Sequence, residues 1–86
     1  MEKSKLNDAD KAYAKAVGAA LKVEKDRTKL TFDDLAEISG VPRATVSRTL
    51  YGTGDSKISD IRRIAEALDV PLSKIWAAAD KATGKK

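Results

Sequence analysis

Residues 31–52 read TFDDLAEISGVPRATVSRTLYG, and the way this stretch folds dictates how the rest of the chain must pack. It divides into two short helices around a tight turn. Thr31 is placed to cap the first, its hydroxyl accepting from an orphan N–H of the first turn. Asp34, three residues on, completes a capping box with a shorter acid than usual. Asp33 and Asp34 both complement the positive end of the helix dipole. Gly40 suits the left-handed residue that ends a helix. Val41 precedes a proline and is pushed towards extended geometry. Pro42 then opens the second helix, where its missing N–H does little harm, and Gly52 closes it. Leu35 and Ala36, Val41, and Val46 and Leu50 supply the apolar contacts, with Ala36 small where the helices cross.

Two helices meeting at roughly 90–120° through a short glycine-bearing turn form a helix-turn-helix. The segment resembles that of the phage lambda repressor/Cro-like (XRE-type) DNA-binding family through Thr31, Leu35-Ala36, Gly40-Val41, Arg43, Thr45-Val46-Ser47-Arg48 and Gly52. The run Ile61-x-x-Ile64-Ala65-x-Ala67-Leu68-x-Val70 resembles the family's fourth helix in the right register, so the resemblance covers about residues 17–76. Two features depart from the family pattern. Ser39 and Thr49 stand where larger apolar residues are usual, and Leu50 or Ile38 is expected to fill part of the gap. The family's ion pair between the end of helix one and the end of helix three is replaced by Lys25 and Leu50.

The resemblance implies an all-α, five-helix lambda repressor-like domain, here with an extended first helix, whose helix 42–51 enters the major groove. It implies base reading by Arg43, Ala44, Ser47 and Arg48. The chemistry agrees: an arginine fork matches the two acceptors of guanine, Ala44 can meet a thymine methyl, and Ser47 can bond several bases. The competing reading of Arg43 and Arg48 is that they are ordinary solvated charges. Candidate phosphate contacts are Thr31, the backbone N–H of Phe32 (the family often has glutamine there), Thr45, Tyr51, Thr53, Gly54 and Lys57. Tyr51 reads equally as a half-buried core residue, and Arg62 and Arg63 read as solvated charges. Family members mostly bind near-palindromic operators as dimers. Trp76, with Ile75 and Ala79 on helix five, is the candidate dimer surface; Trp76 reads equally as a core residue capping helices one and four.

Eighty-six residues make one domain. The chain holds neither cysteine nor histidine, which excludes disulfides and thiolate zinc sites and removes the commonest general base and metal ligand. No cofactor or metal is expected. No apolar run approaches the ~20 residues of a membrane span, and no signal peptide is visible, so a soluble protein of a bacterial cytoplasm is expected. The net charge is +4 and the pI about 9.4, which favours an anionic partner. Residues 31–56 are locally acidic, with two basic and four acidic groups, but both basic groups, Arg43 and Arg48, lie on the second motif helix.

Around the motif, residues 1–7 read as a frayed arm, with a groove-following basic arm as the sharper alternative. Residues 8–80 form the domain. Asp8 to about Arg27 reads as one amphipathic helix with Ala9, Tyr13, Ala16, Val17, Ala20 and Leu21 on the apolar stripe and Lys11, Lys15, Gly18, Lys22 and Lys25 opposite. Its first turns are expected to pack on helix five or on a second subunit. Gly52 to Lys57 is a loop. Ile58, Ile61, Ile64, Ala65 and Leu68 mark helix four, Leu72, Ile75, Trp76 and Ala79 mark helix five, and residues 81–86 form a polar tail. The expected function is sequence-specific binding of double-stranded DNA by a small repressor or Cro-like regulator. A protein-interaction module on the same fold, such as an antitoxin or adaptor, is the alternative. An enzyme is disfavoured, because the carboxylates lie on exposed faces with no cleft to perturb them.

Overall fold

The computed structural model describes residues 8–52 and 56–84. The arm 1–7 and the candidate phosphate contacts Thr53 and Gly54 lie outside the described residues. Five helices follow in order: α1 (Asp8–Thr28), α2 (Phe32–Ser39), α3 (Arg43–Tyr51), α4 (Ile58–Ala67) and α5 (Leu72–Ala82). The described residues contain no strand, so the all-α expectation holds.

The local signals act as the sequence suggests. The Thr31 hydroxyl accepts from the Asp34 N–H at 3.0 Å, and the Asp34 carboxylate accepts from the Thr31 N–H at 3.0 Å, closing the capping box. Gly40 ends α2 at φ 76°, its N–H donating to the Ala36 carbonyl. Pro42 stands just outside α3 as its N-cap, one position earlier than its expected place as the opening residue. Gly52 closes α3 at φ 67°.

α1 packs chiefly on α5 and α3, and α2 packs on α3 and α4. Leu21, Leu35, Val46, Ile64 and Ile75 are enclosed at the centre, each at most 1% exposed. Tyr13 on the early part of α1 stacks on Trp76 of α5 with ring centroids 6.3 Å apart, so the extended first helix finds its partner within the chain.

Several apolar and polar assignments need correction. Gly18 is buried, not on the solvent face. A Cβ built on it would lie 2.6 Å from the carbonyl oxygens of Thr49 and Leu50, so α1 and α3 touch backbone to backbone there. Gly52 repeats the contact from the other side, with its Cβ position 2.6 Å from the Lys15 Cα. Ala9 is exposed, and Ile58 is 67% exposed at the first position of α4. Ile38 is 58% exposed and fills no gap. The small polar residues instead satisfy themselves. The Ser39 hydroxyl accepts from the Val41 N–H at 3.1 Å inside the turn, and the buried Thr49 shares a 2.8 Å hydrogen bond with the Ser56 hydroxyl. Lys81 and Ala82 continue α5 where a polar tail is expected.

A buried carboxylate missing from the sequence reading joins α1 to α5. Glu24 is 6% exposed. It pairs with Arg27 one turn on, and its Oε2 lies 3.3 Å from Lys74 Nζ on α5. The Arg27 hydrogen bond, against the opposing effect of burial and with help from Lys74, holds its carboxyl below the usual glutamate value.

Candidate nucleic-acid interface

The 3.6-residue repeat of α3 sorts its nine residues into two faces. Val46, Thr49 and Leu50 turn inward and are at most 3% exposed. Arg43, Ala44, Ser47, Arg48 and Tyr51 share the opposite arc. Of these, Arg43, Ala44 and Arg48 are exposed and Ser47 is half-buried. The four predicted base readers thus lie together, on one side of one helix.

The start of α2 stands beside the start of α3. Arg43 Nε lies 2.6 Å from Asp33 Oδ1, with both side chains more than half exposed. The guanidinium carbon of Arg43 sits 5.8 Å from the centre of the Phe32 ring. Phe32 is half-buried against the core. It also meets the Tyr51 ring edge-on, with centroids 5.8 Å apart and planes at 81°, and carries Lys25 Nζ at 5.1 Å from its centre. Tyr51 is 51% exposed, so of its two sequence readings the half-buried core residue is corrected: it borders the reading face and meets the Phe32 ring.

The other predicted phosphate contacts fall on three elements. Thr31 spends a hydroxyl lone pair on the cap but keeps its O–H to donate. Phe32 begins α2, where the first amides have no partner within the helix. Thr45 is half-buried on α3, and Lys57 is exposed at the N-cap of α4. Arg62 pairs with Glu66 at 2.7 Å along the exposed side of α4, which agrees with its reading as a solvated charge. The predicted dimer residues separate. Ile75 and Ala79 are enclosed in the chain's own core, at 1% and 0% exposure. That burial removes both side chains from the candidate dimer surface, so only Trp76 retains accessible area on α5 among the three.

The Asp33–Arg43 pair and the Phe32 platform are absent from the sequence reading. Asp33 there serves only the helix dipole, and Phe32 only its backbone. No spacing rule couples residues on two helices across a turn; only the crossing geometry brings them together. Among the described residues, no three His, Cys, Asp or Glu side chains group as a metal site, and no helix is long and apolar enough to cross a membrane.

Residues 16–75 match a protein family described as a helix-turn-helix domain. That span holds well over half of the chain and includes α2, α3, α4 and most of α1. No curated protein matches the chain.

Proposed function

Since the chain belongs to the helix-turn-helix domain family of the XRE/lambda repressor-like type, we propose that it is a sequence-specific transcriptional regulator of repressor or Cro-like kind that reads double-stranded DNA with α3. The observation that carries this reading is the exposed arc of α3. It bears Arg43 and Arg48 beside the small Ala44 and Ser47, and no acidic residue lies between Gly40 and Gly52. An arc of that kind enters the major groove without like-charge repulsion and brings donors to base edges.

Arg43 and Arg48 contact bases, Ala44 packs on a thymine methyl, and Ser47 completes the reading face. Thr31, the Phe32 amide, Thr45, Tyr51 and Lys57 hold the phosphates on either side, joined by Thr53 and Gly54 of the α3–α4 loop. The site is a near-palindromic operator occupied by two copies, in a bacterial cytoplasm or on a phage genome within it.

Selection of bound sites from a random DNA pool tests the proposal, with Arg43→Ala and Arg48→Ala measured on the selected site and on random DNA. Each substitution is expected to cost about 1–3 kcal/mol on the selected site and much less on random sequence. Lys57→Ala is expected to weaken both alike and to flatten the salt dependence by about one unit. A pool that yields no preferred sequence, or equal affinity of the unsubstituted protein for selected and random DNA, overturns the reading.

A further inference from the structure

Asp33 is an odd residue to find at the edge of a surface that meets phosphates. A carboxylate there repels the DNA backbone, so it adds nothing to affinity. Its geometry gives it another use. The ion pair engages Nε, the inner nitrogen of the Arg43 guanidinium. The two terminal nitrogens have no partner among the described residues. The guanidinium carbon sits over the Phe32 ring, 5.8 Å from its centre, and that ring is itself packed against the core, the Tyr51 edge and Lys25. The group is therefore held at its inner nitrogen by the carboxylate and lies beside the Phe32 ring.

We propose that Asp33 is a positioning residue for base readout: by pairing with Arg43 at Nε it leaves the two terminal nitrogens as an end-on fork for the O6 and N7 acceptors of a single guanine. This rests on α3 being the groove-reading helix. An unanchored arginine can offer either its end or its Nε side to a base or to a phosphate, and must lose its rotamer freedom on binding. Anchoring Nε removes the side-on option and meets part of that ordering cost beforehand. Charge and position then act in opposite directions. Deleting the carboxylate relieves repulsion towards all DNA, while it weakens discrimination at one base pair only.

The test uses the full 86-residue chain and the site selected from the random pool. Affinities are measured for that site, for all substitutions at each of its base pairs and for random DNA. The proteins compared are the unsubstituted chain, Asp33→Ala, Asp33→Asn, Arg43→Ala and the Asp33→Ala/Arg43→Ala double variant. Arg43→Ala identifies the base pair that Arg43 reads. At that pair, Asp33→Ala and Asp33→Asn are expected to lower discrimination about fivefold, the size of an exposed ion pair of about 1 kcal/mol. Their affinity for random DNA holds or rises, and discrimination at the other base pairs is unchanged. In the Arg43→Ala background, Asp33→Ala changes no discrimination. Asp33→Asn keeps the side-chain size at the helix start, and its melting temperature checks that the fold is intact. Full discrimination in both Asp33 variants overturns the positioning role, as does an equal loss at every base pair. If Arg43→Ala leaves every base preference in place, the groove reading of Arg43 fails first, and the role of Asp33 with it.

Discussion

At Gly18, helix propensity and packing pull in opposite directions. Alanine favours a helix over glycine by about 1 kcal/mol, and Gly18 sits well inside α1. Yet a Cβ there meets two backbone carbonyl oxygens of α3 at 2.6 Å, and backbone cannot swing aside as a side chain can. Gly18→Ala is therefore expected to destabilise the protein by about 1–3 kcal/mol, measured by denaturant unfolding. A substitution that left stability unchanged or raised it would show that α1 and α3 do not approach so closely. Lys29 presents the reverse case. It holds φ 63° after α1 without being glycine, a conformation that a side chain disfavours. Lys29→Gly removes that penalty and is expected to raise stability by about 0.5–1 kcal/mol in the same measurement. Neither effect is visible in local sequence. Hydrophobic periodicity gives glycine no weight, so Gly18 falls among lysines on the solvent face. Its burial is decided by Thr49 and Leu50, which only the helix crossing brings near.

The helix limits, by contrast, are local chemistry, and they read directly from the chain. Thr31, Asp34, Gly40 and Gly52 each act within one turn of their own helix end. The inward face of α3 is equally plain, because Val46 and Leu50 follow the repeat. What periodicity misses is where a helix outruns its partner: Ala9 and Ile58 both lie in the first turn of their helices, and both are exposed. It also misses polar groups whose partners lie far along the chain. Glu24 is the main example, since Lys74 on α5 is needed to explain its burial. The same distance hides the Asp33–Arg43 pair in the candidate interface, while the four base-reading positions, which share one helix, are found. The Glu24 clamp makes a prediction about pH. Its folded value lies below the ordinary 4.5 because Arg27 and then Lys74 favour the charged form. A lowered carboxylate contributes stability above its unfolded value and loses it as pH falls through the folded one. Arg27 and Lys74 are themselves more than half exposed, which keeps the gain small. Glu24→Gln is expected to cost about 1 kcal/mol at neutral pH. The gap to the unsubstituted protein should narrow as the pH falls below the ordinary glutamate value and Glu24 takes up its proton, followed by urea unfolding at each pH. A gap of constant size across that range would assign the role of Glu24 to shape and not to charge.

The question left for the molecule as a whole is how two copies would meet. A stable interface between folded chains buries roughly 1,200–2,000 Å² in total. α5 cannot supply its side of such a surface from the three predicted residues. Ile75 and Ala79 are inside the core, and Trp76 already lies on Tyr13, with planes 25° apart. Among the described residues the large exposed aliphatic side chains stand elsewhere: Val23 on α1, Ile38 on α2 and Ile58 on α4. Burial and the nearby Asp80 carboxylate also raise the Tyr13 phenol above its ordinary 10.0, as befits a half-buried ring stacked on Trp76 of α5. The indole is then a fold residue that ties the long first helix to the last one. Trp76→Ala is expected to lower stability by about 1–3 kcal/mol, less than for a fully buried tryptophan because part of the ring is already wet. It should leave the solution mass unchanged, with the free chain a single copy at micromolar concentration and pairing only on adjacent half-sites of DNA. Sedimentation and thermal unfolding of the same two samples separate the outcomes. If the unsubstituted chain sediments as a pair, and Trp76→Ala returns it to one copy with little loss of melting temperature, the indole belongs to an interface between copies. The stacking on Tyr13 would then be what prepares that surface.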